Sequence, residues 1–165
     1  MISYVPKINI QGVLLKDPEK AMSIFNKEFQ AAMWSSLFQV EREAKLLSPI
    51  NQGTYRNSIM SAVSGSGLDL TGRVGTPILY AEPIEYGQKA HFPNLDNIKV
   101  SARFKFGALA NDTLELQRAY AIAKSIARRG VRAFEVFKKS FEKSKKAIDN
   151  YFQSAGLKIT QELSR

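Results

Sequence analysis

Asp17-Pro18-Glu19 opens and Ser48-Pro49 closes the stretch DPEKAMSIFNKEFQAAMWSSLFQVEREAKLLSP, whose reading decides the fold. Asp17 is a capping residue, Pro18 fits the first helical position where its missing N–H is not needed, and Glu19 adds negative charge at the positive end of a helix. Apolar residues then recur at Met22, Phe25, Phe29, Met33, Leu37, Val40, Ala44 and Leu47. That spacing is one face of a single amphipathic helix. Pro49 disfavours helical geometry in Ser48 and ends it. Such a helix is about 45 Å long at 1.5 Å per residue, long enough to outrun its own core and offer its end to a partner.

After Pro49 the period changes. Ser58 to Val63, Leu70 to Val74 and Ile78 to Tyr86 read as short strands, the first two joined by the flexible turn Ser64-Gly65-Ser66-Gly67. They predict a small antiparallel sheet of about three strands, punctuated by Gly53 and Gly87. Residues 88–111 read two ways. Lys99 to Phe106 alternates as a strand, yet Asn94 followed by Leu95, Ile98 and Ala102 opens a short helix equally well. Asp112 with Glu115 resembles a capping box, and Leu116, Tyr120, Ala123 and Ala127 form a helical stripe that stops at Gly130. A second helix is expected from about Val131 to Ala155. Its seam is Phe134, Phe137, Phe141, Ser144, Ile148, Tyr151 and Ala155, at alternating three and four spacing. Before all this, residues 1–16 read as an N-terminal arm, with Lys7-Ile8-Asn9-Ile10 suited to a short strand. The expected organisation is an arm over 1–16, one domain over 17–155 and a tail over 156–165. The fold class is α+β: a long N-terminal helix, a small antiparallel sheet and two C-terminal helices packed on it.

The chain has 165 residues with 44% hydrophobic and 24% charged composition, ordinary for one globular domain with its own core. It has no Cys and one His, which removes disulfide frameworks, zinc fingers, Ser–His or Cys–His triads and multi-His metal sites. No run of about 18 apolar residues spans a membrane, and the first residues lack the basic and apolar regions of a secretory signal. A soluble protein, intracellular where it is made, is therefore expected. Residues 1–98 hold 9 Lys/Arg and 9 Asp/Glu, whereas residues 99–165 hold 15 and 6, so the whole net charge of +9 lies in the C-terminal part. Lys138, Lys139, Lys143, Lys145 and Lys146 fall on heptad positions away from the aromatic seam. They form one basic face, either a solvated surface or a site for nucleic acid or another acidic partner.

Catalytic chemistry finds little support. Glu82 and Glu85 are three apart on a strand-like run and so point to opposite faces, unsuited to acid/base pairing. His91 stands alone beside Phe92-Pro93, and Gly65-Ser66-Gly67 lacks the Lys-Ser/Thr of a phosphate loop. No enzyme, metal or cofactor is expected. A basic nucleic-acid-binding module is the rival: the lysines would meet phosphates, with Phe104, Phe106 or Tyr151 available for stacking. Against it, Phe134, Phe137 and Phe141 are better used in the seam.

One order of motifs carries more weight. Glu41, Ala44 and Lys45 close the long helix, and Ser48-Pro49-Ile50-Asn51-Gln52-Gly53-Thr54-Tyr55-Arg56-Asn57-Ser58-Ile59 follows. After a glycine turn come Val74, Tyr80-Ala81 and Ile84-Glu85-Tyr86-Gly87. This resembles the tailed-phage neck and minor tail component family of head–tail joining and tail completion proteins. Its members carry Ala-Pro-Val-Asp-Thr-Gly-x-Leu-Arg-x-Ser-Ile followed by Tyr-Ala-x-x-x-Glu-Tyr/Phe-Gly. The run from Ala121 to Val131, followed by Phe137, is similar to the C-terminal part of such proteins, so the resemblance covers residues 37–155. Gln52 stands where Thr is usual, Tyr55 replaces Leu, and Gln88 follows Gly87 where Thr is common.

The resemblance implies a structural virion protein of the head–tail connection, made in the host cytoplasm and assembled as a homo-oligomeric ring of six copies, as is common in siphophage tails. Implied partners are head-closure, tail terminator or tail tube proteins, with non-specific DNA contact in the lumen. The assembly motif is Pro49, Gly53, Arg56, Ser58, Ile59, Tyr80, Glu85, Tyr86 and Gly87. In physical terms Pro49 ends the helix, Gly53 turns the chain, Ser58-Ile59 enters the sheet, and Arg56 is expected to pair with Glu85 across it.

Overall fold

The computed structural model describes residues 18–49 and 53–164, so the N-terminal arm, the Asp17 cap and Gln52 lie outside the described residues. The elements run α1 (Pro18–Leu47), α2 (Thr54–Ser58), β1 (Met60–Ser64), a 3-10 turn (Gly67–Asp69), β2 (Thr71–Gly75), α3 (Ala81–Tyr86), α4 (Leu95–Phe106), α5 (Asp112–Arg129) and α6 (Val136–Leu163). This is the expected α+β class with a long N-terminal helix. The described residues group into two compact units, one of 18–47, 59–75 and 137–164 and the other of 48–49, 53–58 and 76–136.

In the first unit α1 is one helix that begins at Pro18 and stops before Pro49, as its end signals require. Its buried face keeps most of the predicted stripe and widens it with smaller residues. Leu37, Val40 and Ala44 are buried, Phe25, Phe29, Met33 and Leu47 are half-buried and Met22 is exposed, while Ala21, Glu28, Ala32 and Ser36 are buried beside them. Small side chains occupy the centre, and the hydroxyl of Ser36 is satisfied by donating to the Ala32 carbonyl at 2.8 Å. The sheet has two strands, not three: β1 and β2 pair antiparallel from Met60 opposite Gly75 to Ser64 opposite Thr71. Ser61 ties the hairpin to α1 by donating to the Glu41 carboxylate at 2.5 Å.

α6 also differs from its expected bounds, starting at Val136 and running through Ala155 to Leu163. Its buried positions are Val136, Ser140, Ser144, Ile148, Phe152, Ala155 and Ile159, while Tyr151 is exposed and Phe137 and Phe141 are half-buried. Phe134 precedes the helix and is 44% exposed, so the predicted seam holds at Ser144, Ile148 and Ala155, with Phe141 beside the core, and fails at Phe134 and Tyr151. The serines can be interior because each satisfies itself: Ser144 donates to the Ser140 carbonyl at 2.7 Å and Ser140 to that of Phe137 at 2.9 Å. The core of this unit gathers Ala32 and Val40 of α1 with Ile148, Phe152 and Ala155 of α6, flanked by Phe29, Met33, Val74 and Phe141. Phe29 and Phe152 meet with ring centroids 5.0 Å apart.

In the second unit the residues expected as a third strand, Ile78 to Tyr86, form the short helix α3 instead. Pro83 decides it: a proline removes a ladder hydrogen bond from a central strand but is accepted in the first turn of a helix, where its N–H has no partner. Glu82 and Glu85 therefore share a helical face and do not oppose each other. The ambiguous stretch 95–106 is α4. Asn94 caps it, accepting from the Asp96 and Asn97 N–H groups at 2.8 and 3.3 Å, and Gly107 closes it by donating to Arg103 O at 2.8 Å. α5 is capped by Asn111, one residue before the expected Asp112, through a bond from Leu114 N–H at 2.9 Å. Glu115 thus has no capping-box role. Its buried carboxylate accepts from the Arg103 guanidinium of α4 and from Leu109 N–H at 3.1 Å, and Lys99 meets Asp112, so charge and hydrogen bonding lock α4 to α5.

Candidate assembly motif

The two halves of the motif meet within the second unit. Gly53, at φ +75, accepts from Asn57 N–H at 2.9 Å and starts α2. Ser58 ends that helix. Its hydroxyl donates to the Tyr55 carbonyl at 2.7 Å and pairs with the Thr76 hydroxyl at 2.6 Å, while Thr76 Oγ1 accepts from Ile78 N–H at 3.3 Å. With one proton on each hydroxyl the chain has a single direction: Thr76 donates to Ser58, and Ser58 to Tyr55. Tyr55 itself is buried, its ring 6.4 Å from that of Tyr80 at the start of α3. Its hydroxyl is buried with no hydrogen-bond partner among the described residues. Burial first and the Glu85 charge second push its pKa up to about 12.

The far end of α3 is finished by a distant segment. Ile84 and Glu85 offer their carbonyls to Phe134 and Glu135 N–H at 2.9 and 3.2 Å, filling acceptors that a helix end leaves open. Gln88 and Val131 pair as an antiparallel bridge. Gly87, at φ +75, follows Tyr86, and a Cβ on it would come within 2.5 Å of the Val131 carbonyl oxygen. Commitment of residues 131–135 to these contacts is why α6 begins five residues later than its apolar spacing suggests.

Each predicted motif residue has a place. Pro49 follows α1 half-buried, and Ile59 is almost fully buried between Ser58 and β1 in the chain. Arg56 lies on α2 and Glu85 on α3, so neither residue is in a strand and neither faces the other across the sheet. Tyr86 is 75% exposed, and Leu79, beside Tyr80, is 96% exposed. Tyr55, Thr76, Gln88 and Val131 hold the motif together, a role that the sequence, where Tyr55 and Gln88 stand out only as departures from the family pattern, does not announce. Tyr55 had a signal in its large apolar ring beside Gly53; a backbone bridge such as Gln88 to Val131 has none.

On α6, Lys138, Lys139, Lys143, Lys145 and Lys146 are all exposed. At 100° per residue they share an arc of about 160° on the side away from Ser140, Ser144 and Ile148. Lys145 Nζ lies 5.7 Å from the Phe141 ring centre. Among the described residues no group of three His, Asp or Glu side chains is placed to hold a metal ion, and no helix is long and apolar enough to cross a membrane. Comparison of the chain with protein-family models, with curated proteins and with solved structures finds no match.

Proposed function

We propose that this protein is a structural subunit of the head–tail connection of a tailed phage, a neck or tail completion component that works as a homo-oligomeric ring. The observation that carries this reading is the surface of the second unit. Besides Tyr55 and Val136 it buries small or polar residues, Ser48, Ala102, Glu115, Ala119 and Ala123, while Leu79, Tyr86, Phe104 and Phe106 are exposed. Large apolar side chains left open to this degree support a contact with another protein. In a ring the occupant is a neighbouring copy, and the motif that resembles the phage family supplies Tyr80 and Tyr86 to the same unit. Six copies, seated between a head-closure or terminator ring and the tail tube, suit the resemblance. Its place is then the virion neck, reached after synthesis in the host cytoplasm.

The test is negative-stain electron microscopy of lysates from a phage lacking this gene. DNA-filled heads beside separate tails are expected; intact infectious particles would overturn the reading. The exposed lysine arc of α6 favours a second reading, a basic nucleic-acid-binding module. Duplex binding whose affinity falls with salt and is lost on neutralising those lysines would support that one instead.

A further inference from the structure

The bridge from Gln88 to Val131 brings together two stretches of chain whose charges have one sign. Residues 86–95 and 116–134 contain six Lys/Arg and no Asp or Glu. On α5, Tyr120, Lys124 and Arg128 are four apart, so they line one face over about 12 Å of helix, and all three are exposed where Ala119 and Ala123 are buried. The loop that begins at the bridge adds Lys89, His91 and Phe92, also exposed. His91 Nδ1 lies 2.9 Å from the Lys89 carbonyl oxygen, and the Phe92 ring sits 6.1 Å from that of Tyr120 at an interplanar angle of 56°. Phe92 is 56% and Tyr120 52% exposed, so this ring pair faces solvent beside the cations and does not fill a core.

We propose that this strip is a binding site for single-stranded nucleic acid. Lys89, Lys124 and Arg128 take successive phosphates, Arg128 with the fork that matches a phosphate's two oxygens, and an unpaired base stacks on Phe92 or Tyr120. An acidic peptide satisfies the cations but leaves the ring pair unused, and a duplex offers phosphates without an unstacked base. The strip is separate from the lysine arc of α6 and does not depend on the head–tail reading.

Fluorescence anisotropy of the full chain with labelled oligothymidylate of about twenty nucleotides, and with a duplex of equal length, tests it. Oligothymidylate is expected to bind more tightly than the duplex. The triple variant Lys89→Ala, Lys124→Ala, Arg128→Ala should lower affinity at least tenfold, and its log–log salt slope should be shallower by about 2, at about 0.7 for each single-strand phosphate contact removed. Phe92→Ala with Tyr120→Ala should weaken oligothymidylate about 5- to 100-fold with little change for the duplex. Circular dichroism of each variant separates lost binding from lost folding. The proposal is overturned by a folded wild-type chain that binds no oligothymidylate, by duplex binding as tight as single-strand binding, or by affinity lost only in Lys143→Ala, Lys145→Ala, Lys146→Ala. A negative result here leaves the microscopy of gene-deleted phage unaffected, so the two readings fail separately.

Discussion

Gln88 and Val131 exchange both of their backbone hydrogen bonds, at 2.9 and 2.8 Å, although all of α4 and α5 lies between them in the chain. The geometry is enforced from both sides. Gly87 and Gly130 flank the bridge at φ +75, ψ −176 and φ +71, ψ −163, a region that residues with a Cβ avoid. A Cβ at Gly130 would lie 2.2 Å from the Gln88 carbonyl oxygen. Gly130→Ala therefore combines backbone strain with a clash against main chain and should cost about 3 kcal/mol or more. Gly107→Ala provides the comparison, with φ +81 but nothing within 4 Å of its Cβ. It should cost about 1–3 kcal/mol. Urea midpoints of the two variants decide the matter.

The carboxylate of Glu115 makes the α4–α5 pair sensitive to acid. The Arg103 hydrogen bond, opposed by burial and helped by Leu109 N–H, holds its pKa below the ordinary carboxylate range. A lowered folded-state pKa contributes stability that is present above the unfolded value and is lost as pH falls through the folded one. Thermal melts should thus show stability declining below about pH 4. Glu41 has a lowered pKa too: burial raises it, but Lys45 and Ser61 outweigh that effect, so it adds to the decline in the same direction. Glu115→Gln should be less stable at pH 7 and lose less than wild type on acidification.

Burial ranks the aromatic positions of α6 and its approach. Phe152 is 2% exposed and packs on Phe29, so Phe152→Ala should cost about 3–5 kcal/mol. Phe134→Ala, at a position outside the helix and largely open, should cost about 1 kcal/mol. Equal losses in chemical denaturation would contradict the placement of the core.

Tyr55 offers a stabilising substitution. Its hydroxyl is buried with no hydrogen-bond partner among the described residues, so Tyr55→Phe removes an uncompensated polar group and should gain about 1 kcal/mol. A pKa pushed up to about 12 means the folded chain keeps the proton that the unfolded chain releases. Stability from this group is complete below about pH 10 and falls as pH rises toward 12, a loss that Tyr55→Phe should abolish.

Leu79→Asp separates folding from assembly. At 96% exposure the side chain supports nothing in its own chain, so the melting temperature should hold, with a change within about 0.5 kcal/mol. If the proposed ring exists, its formation in sedimentation or in phage lysates should be lost. Assembly that survives this change and Tyr86→Asp together would move the ring contact elsewhere.

The legible part of the sequence was what local chemistry dictates. Asp17-Pro18-Glu19 and Pro49 bracket α1, and the β-branched runs around Ser64-Gly65-Ser66-Gly67 give the hairpin nearly to the residue. α3 escaped because Ile78, Leu79, Tyr80, Ile84 and Tyr86 are strand-prone, and Pro83 is the residue whose meaning overrides them. The alternation of Lys99 to Phe106 lost to a cap, Asn94, and to a buried partner, Glu115, that no window along the chain can see. On α6 the spacing finds Ser144, Ile148 and Ala155 but not Val136, Ser140, Phe152 and Ile159, because a serine that bonds its own backbone is interior without looking apolar and the helix starts five residues later than its apolar spacing suggests. The motif halves were recognisable, but their junction through Thr76, Tyr55 and the Gln88–Val131 bridge depends on contacts distant in sequence.

The division of the first unit into segments on either side of the second sets a schedule for synthesis. α1 emerges before the second unit, yet Ile148, Phe152 and Ala155, which complete its core, are made only after it. At about 5–20 residues per second, the ribosome needs on the order of 5–20 s to add the residues between Leu47 and Phe137. During that wait Phe25, Phe29 and Met33 lack their covering helix, while the second unit, nearly continuous in sequence, can already fold. A nascent chain stalled near Val136 should therefore bind chaperones through α1, and release should follow completion of α6.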